Sequence, residues 1–165
     1  NGGALRFDGR DDYVVATASP AFRYDTGVSF ALWFRSNTVV GEQMLMAQDG
    51  GGKYLNIILA KAVLRWEVGR DQSLFATTAV EPGRWYHVAG THDFETAISK
   101  LYVDGRLNRQ GVLAGEKDFT DNSIYVGSRP GPRQFFEGVI DDIRIYSRTL
   151  TSAEVQELAR QGSGR

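Results

Sequence analysis

Leu101-Tyr102-Val103-Asp104-Gly105-Arg106-Leu107 reads as two strands cut by a tight turn. Asp-Gly readily takes the φ > 0 conformations of a two-residue type I′ turn, and the apolar residues on either side supply the strands of a hairpin. Outward from this turn the same grammar repeats: short alternating or apolar runs separated by Gly, Asp, Asn and Pro. Strands are expected at 4–7, 13–16, 28–35, 43–48, 54–59, 63–69, 74–78, 85–91, 98–103, 123–126 and 136–146. So many short strands at this spacing predict an all-β, two-sheet antiparallel sandwich. Gly50-Gly51-Gly52 makes a flexible tip between two of them.

One helix interrupts the pattern, at about 152–160. Thr151 is the expected N-cap, Glu154 three residues on completes a capping box, and Leu150 and Val155 form a hydrophobic staple. Gly162 lies just past the end. Val155, Leu158 and Ala159 share one face, so this short helix should dock on the sandwich.

A chain of 165 residues suits one domain, expected over 1–161, with 162–165 as linker or tail. The start at Asn1 and the Gly-Ser-Gly-Arg tail lead us to expect a piece of a larger, multidomain chain. Net charge is -1 with scattered Lys and Arg, which argues against nucleic acid as a partner. No apolar run reaches the length of a spanning helix, so membrane insertion is not expected. The absence of cysteine excludes disulfides and thiolate chemistry, and two histidines are too few for a zinc site.

Four ordered segments resemble the laminin-G-like jelly-roll family of the concanavalin A-like superfamily. They are 5–9 (Leu-Arg-Phe-Asp-Gly) running into Asp12-Tyr13-Val14, then 28–35, then 83–91 followed by 100–105, and finally 136–146 with Leu150 and the helix. The resemblance implies two antiparallel sheets, one concave, with the first and last strands adjacent. It also implies an extracellular or cell-surface setting, and a non-catalytic lectin or adhesion module that binds a glycan or polysaccharide. A protein-binding or spacer domain is the alternative, and a glycoside hydrolase or lyase of the same superfamily a further one.

The resemblance brings the chain ends together, and family members often hold calcium at the positions of Asp8 and Asp141. A structural Ca²⁺ ligated by Asp8, Asp11 and Asp141, near Asp12 and Asp142, is therefore expected, since the ion wants six to eight oxygens. The competing reading is that Asp8 and Asp11 shape a turn through side-chain hydrogen bonds while Asp141 pairs with Arg144 or another base. Retaining hydrolysis would need two carboxyls about 5 Å apart on one rigid face. The nearest stretch, Glu116-Lys117-Asp118-Phe119-Thr120-Asp121, reads instead as a solvated loop. His87 and His92 lack a partner in any recognisable nucleophile motif and read as packing or surface residues.

Sugar recognition combines an aromatic face with planar polar groups. Alternation in 54–59 and 63–69 turns Leu55, Ile57, Leu59, Leu64, Trp66 and Val68 one way and leaves Tyr54, Asn56, Arg65 and Glu67 on the other face. On a concave sheet these four would line a polar groove. The loop 128–135 adds Arg129 and Arg133, stiffened by Pro130 and Pro132, as a second candidate. Trp33, Trp66 and Trp85 are assigned to core packing.

Overall fold

The computed structural model describes residues 3–131 and 133–162. Among them, twelve strands form two six-stranded antiparallel sheets. The front sheet runs β1 (Leu5–Asp8), β12 (Glu137–Tyr146), β3 (Gly27–Ser36), β8 (Trp85–Asp93), β9 (Ile98–Val103), β10 (Arg106–Val112). The back sheet runs β2 (Val14–Ala16), β11 (Ile124–Val126), β4 (Glu42–Gly50), β5 (Lys53–Ala60), β6 (Val63–Val68), β7 (Ser73–Ala79). The first and last strands are neighbours, with Phe7 opposite Gly138. The hairpin read first forms as expected: Arg106 pairs with Val103 while Asp104 and Gly105 have φ of 49° and 74°.

β3 explains the layering. Phe30, Leu32 and Phe34 point between the sheets and are fully buried. The alternate residues Ala31 and Trp33 face outward yet are also buried, because the helix α1 (Ser152–Gln161) lies over that side. Thr151 caps the helix reciprocally with Glu154, and Leu150 and Val155 pack with Ala31, Ala89 and Tyr102. Ser29 Oγ donates to Arg148 O at 2.8 Å and accepts from Leu150 N at 2.9 Å, which fixes the chain's entry into the helix. Gly162 is the helix C-cap and sits against Trp33; residues 163–165 of the expected tail lie outside the described residues.

Sequence reading placed the start of β10 in the hairpin but not its run on to Val112, and it missed the short 3-10 turn at Pro20–Phe22. β10 is an edge strand whose seven residues are mostly exposed, so no apolar face imposes the alternation by which strands are recognised.

The two sheets are joined across the core by Trp66. Its ring meets Phe30 edge to face with centroids 5.7 Å apart, and its Nε1 donates to Thr91 O at 3.2 Å. The indole lies directly against the backbone of Gly90, where a Cβ would overlap it. Gly90→Ala is expected to destabilise the domain by about 2–3 kcal/mol in urea unfolding. The double variant with Trp66→Leu should lose less than the two single changes summed. Simple additivity would show that the packed indole is not the cause.

Candidate functional site

At the turn after β1, Asp8, Asp11 and Asp12 are all exposed and bring one carboxylate oxygen each within 4.8 Å of the others. Asp8 Oδ1 accepts from the amides of Arg10 and Asp11 at 2.9 and 3.5 Å, and Asp12 Oδ2 accepts from Asp8 N at 3.0 Å. Asp141 does not join this group. Asp8 faces Glu137 in the β1–β12 register, so Asp141 stands about 13 Å further along β12 at 3.3 Å per residue. It occupies instead the start of a β-bulge, where Asp141 Oδ1 accepts from Asp142 N at 2.7 Å and Asp142 has φ 46°. The acidic pair is thus explained by backbone geometry, since Asp tolerates the left-handed conformation. Among the described residues, the carboxylates close enough to share an ion are those of Asp8, Asp11 and Asp12.

The alternation in β5 and β6 places Tyr54, Asn56, Arg65 and Glu67 on the outer face of the back sheet, as expected. That face is not an open groove at its centre. Asn56 and Glu67 are buried and bonded to each other, Nδ2 to Oε2 at 2.7 Å, and Arg65 lies 3.4 Å from Glu42. The loop from Gly127 to Phe136 runs beside β4. Its ends are tied down by Gly127 N donating to Leu45 O and Met44 N donating to Gln134 O. Arg129 reaches back from it, donating Nε to Asp49 Oδ2 at 2.6 Å with its guanidinium 5.5 Å from the Tyr54 ring centre. Arg133 stays exposed.

A bulge in β4 turns Met44 and Ala47 outward, where they form a small apolar cluster with Ile58 and Tyr125. Among the described residues, Asn56 Oδ1, Arg65 Nε and Gln134 Oε1 are buried on this face without a hydrogen-bond partner. Unpaired buried polar atoms cost about 1–3 kcal/mol each, so these three call for an explanation. Sequence reading missed Glu42, Asp49 and Gln134. Asp49 lies between the expected strand 43–48 and the tip Gly50-Gly51-Gly52 and drew no reading of its own.

The remaining candidates are structural. Asp118 Oδ1 accepts from the N and Oγ1 of Thr120, and Phe119 is buried against Tyr24, so the 116–121 stretch is a core-anchored turn and not merely a solvated loop. His87 and His92 are both buried. Trp66 is core, Trp33 is buried on the outer side of β3, and Trp85 is partly exposed with Arg35 stacked 5.3 Å from its ring, which corrects its assignment to the core.

A family model of the concanavalin A-like lectin/glucanases superfamily, of its laminin-G group, matches residues 8–156. The chain belongs to that family. The solved structures similar to it are of low identity and speak to the fold of this laminin-G-like chain alone. The CBM40 domain of the Ruminococcus gnavus IT-sialidase, bound to alpha2,3 sialyllactose, is 16% identical with a TM-score of 0.70, over 90% of this chain and 97% of that one. The botulinum neurotoxin serotype G binding domain is 16% identical with a TM-score of 0.74, over 96% and 42%. The SAP-like pentraxin of Limulus polyphemus is 13% identical with a TM-score of 0.68, over 93% and 80%. A curated relative, the adhesion G-protein coupled receptor V1 of Danio rerio, is 36% identical over 89 residues. The match spans 52% of this chain but only 1% of that receptor's length. No helix among the described residues is long and apolar enough to cross a membrane.

His92 gives the laminin-G-like domain a defined acid response. Its Nδ1 lies 2.7 Å from Ser99 Oγ, and the Phe94 ring closes over it with centroids 4.5 Å apart. Burial holds its pKa down to about 4, against the partial opposition of Asp93. The folded chain therefore stays neutral at His92 while the unfolded chain takes up a proton near pH 6.5. Stability from this group is complete above pH 6.5 and falls as the pH drops toward 4, by about 2 kcal/mol at pH 5. Glu154, held at about 2 first by Arg148, loses its contribution only below pH 4.5. Urea unfolding at pH 7 and pH 5 should show this loss in the native protein and a flatter dependence in His92→Gln. An unchanged slope in the variant would sink the assignment.

Proposed function

We propose that this laminin-G-like domain is a non-catalytic extracellular module that binds a glycan. The observation that carries the reading is the outer face of the back sheet. There the Gln134 amide and the Arg129 guanidinium, both partly exposed, share one face with the rings of Tyr54 and Tyr125, Arg129 lying 5.5 Å from the Tyr54 ring centre. Planar amides and a guanidinium beside aromatic rings are the groups that bond sugar hydroxyls and stack on sugar C–H surfaces. The similar domain bound to alpha2,3 sialyllactose is in keeping with this.

A structural calcium ion forms part of the reading. Asp8 Oδ2, Asp12 Oδ1 and the Asp11 carboxylate are the oxygens left by the turn's own hydrogen bonds, and their exposure leaves room for water to complete the shell. The ion would supply countercharge to three clustered carboxylates.

A protein partner is the second reading, favoured by the exposed side chains of Phe75, Leu107 and Val112 on the edge strands β7 and β10. The adhesion receptor relative fits either ligand class.

A glycan array probed with the multimerised domain, in calcium and in EDTA, separates these readings. Saturable binding is expected to at least one glycan class. A domain folded by circular dichroism that binds none would overturn the glycan reading in favour of the protein partner. Calcium should raise the melting temperature of the native domain by a few degrees and leave Asp11→Asn unmoved; equal melting curves would remove the ion from the account.

A further inference from the structure

The outer face of the back sheet is closed at its centre but opens at one corner. Between the β4–β5 hairpin tip, the turn before β11 and the Pro130 end of the 127–136 loop lies a cavity of about 400 Å³. That size falls in the range of small-ligand pockets. Its polar lining comes from Asp49, Lys53, Asp121, Asn122 and Ser123, and Tyr125 forms a wall.

Asn122 is the informative residue. Only 8% of it is exposed. Its backbone is fully used, N donating to Phe119 O at 2.9 Å and O accepting from Gln48 Nε2 at 3.1 Å. Its side-chain amide makes no hydrogen bond among the described residues. Gly50, at φ 151°, makes room for that amide, because a Cβ there would overlap Asn122 Nδ2. The chain thus holds a planar donor-acceptor group at the pocket surface without a protein partner, open to water or to a ligand.

The other groups are fixed as well. Asp49 is buried, with Oδ2 taken by Arg129 Nε, so its carboxylate has one orientation. Ser123 Oγ accepts from Ala18 N at 3.0 Å. Tyr125 is stacked with Tyr13, centroids 6.1 Å apart and planes at 28°, which extends the aromatic surface to the rim. A rigid carboxylate, an unpartnered amide and an aromatic wall match the vicinal hydroxyls and apolar C–H face of a pyranose.

Charge narrows the ligand further. Arg129 is committed to Asp49, and Lys53 Nζ donates to Asp118 O at 2.5 Å. The carbonyl leaves the Lys53 charge in place, where it offsets the exposed Asp121 as Arg129 offsets Asp49, so the corner carries no excess charge of either sign to select an acidic sugar. We propose that this corner pocket holds a terminal neutral pyranose, its hydroxyls bonded by Asn122 and Asp49 and its C–H face against Tyr125. This rests on the glycan reading above and assigns it a place and a ligand class.

The test is titration of the ¹⁵N-labelled domain with methyl glycosides of glucose, galactose, mannose and N-acetylglucosamine, and separately with N-acetylneuraminic acid, followed by amide shifts. Saturating shifts centred on Gly50, Asn122, Ser123 and Tyr125 are expected with at least one neutral sugar. Asn122→Ala should weaken that binding about tenfold. Asp121→Ala, which removes an exposed lining carboxylate able to accept from a sugar hydroxyl at the rim, should weaken it several-fold and serves should the first variant fail to fold. Neutral-sugar binding that survives both changes overturns the pocket while leaving the glycan reading in place. Response to N-acetylneuraminic acid alone overturns the ligand class. No response to any sugar here overturns the pocket; silence on the glycan array as well overturns both.

Discussion

The indole of Trp66, seated on the bare backbone of Gly90, sets how closely the two sheets approach. It belongs to β6 of the back sheet, yet it packs on Phe30 and donates to Thr91 O in the front sheet. A large ring fits only where the opposite strand offers no side chain, so position 90 is specified as strictly as position 66. With the sheets held at that spacing, the remaining inward residues of β3, β5 and β8 interdigitate into a single core. Dispersion and apolar burial then act over the whole inner surface.

The outward faces of the two sheets are treated differently. The front sheet is closed by α1, whose capping box and hydrophobic staple make a ten-residue helix stable where it docks. The back sheet is closed by a loop, which carries polar backbone and side chains and so builds a polar covering over Met44, Ala47 and Ile58. An apolar cover needs no ligand to complete it. A polar cover has directional requirements, and Asn56 Oδ1, Arg65 Nε and Gln134 Oε1 have no hydrogen-bond partner there.

Much of the fold was legible because its signals are local. Asp104-Gly105 announces its turn, Thr151 and Glu154 announce the helix start, and period-two alternation in β5 and β6 separates core from face. The far end of β10 escaped because an exposed edge strand lacks an apolar side to mark it. Trp85 was misplaced because an aromatic in a strand reads as core until a cation such as Arg35 is seen stacked beside it. The acidic pair at Asp141 and Asp142 could not be placed from sequence, because a bulge and a ligand site use the same residue type.

The sequence by itself determined the strand pattern, the turn chemistry, the helix cap and the split between inner and outer faces, because each depends on residues within a few positions of one another. Only the tertiary structure decided that Asp141 stands apart from Asp8, that Arg129 is spent on Asp49, and that Asn122 faces a pocket with its amide unpaired. Those facts follow from strand register and from contacts between residues as far apart as 49 and 129. Register is fixed by the summed packing of whole strands, and no short stretch of the chain encodes it.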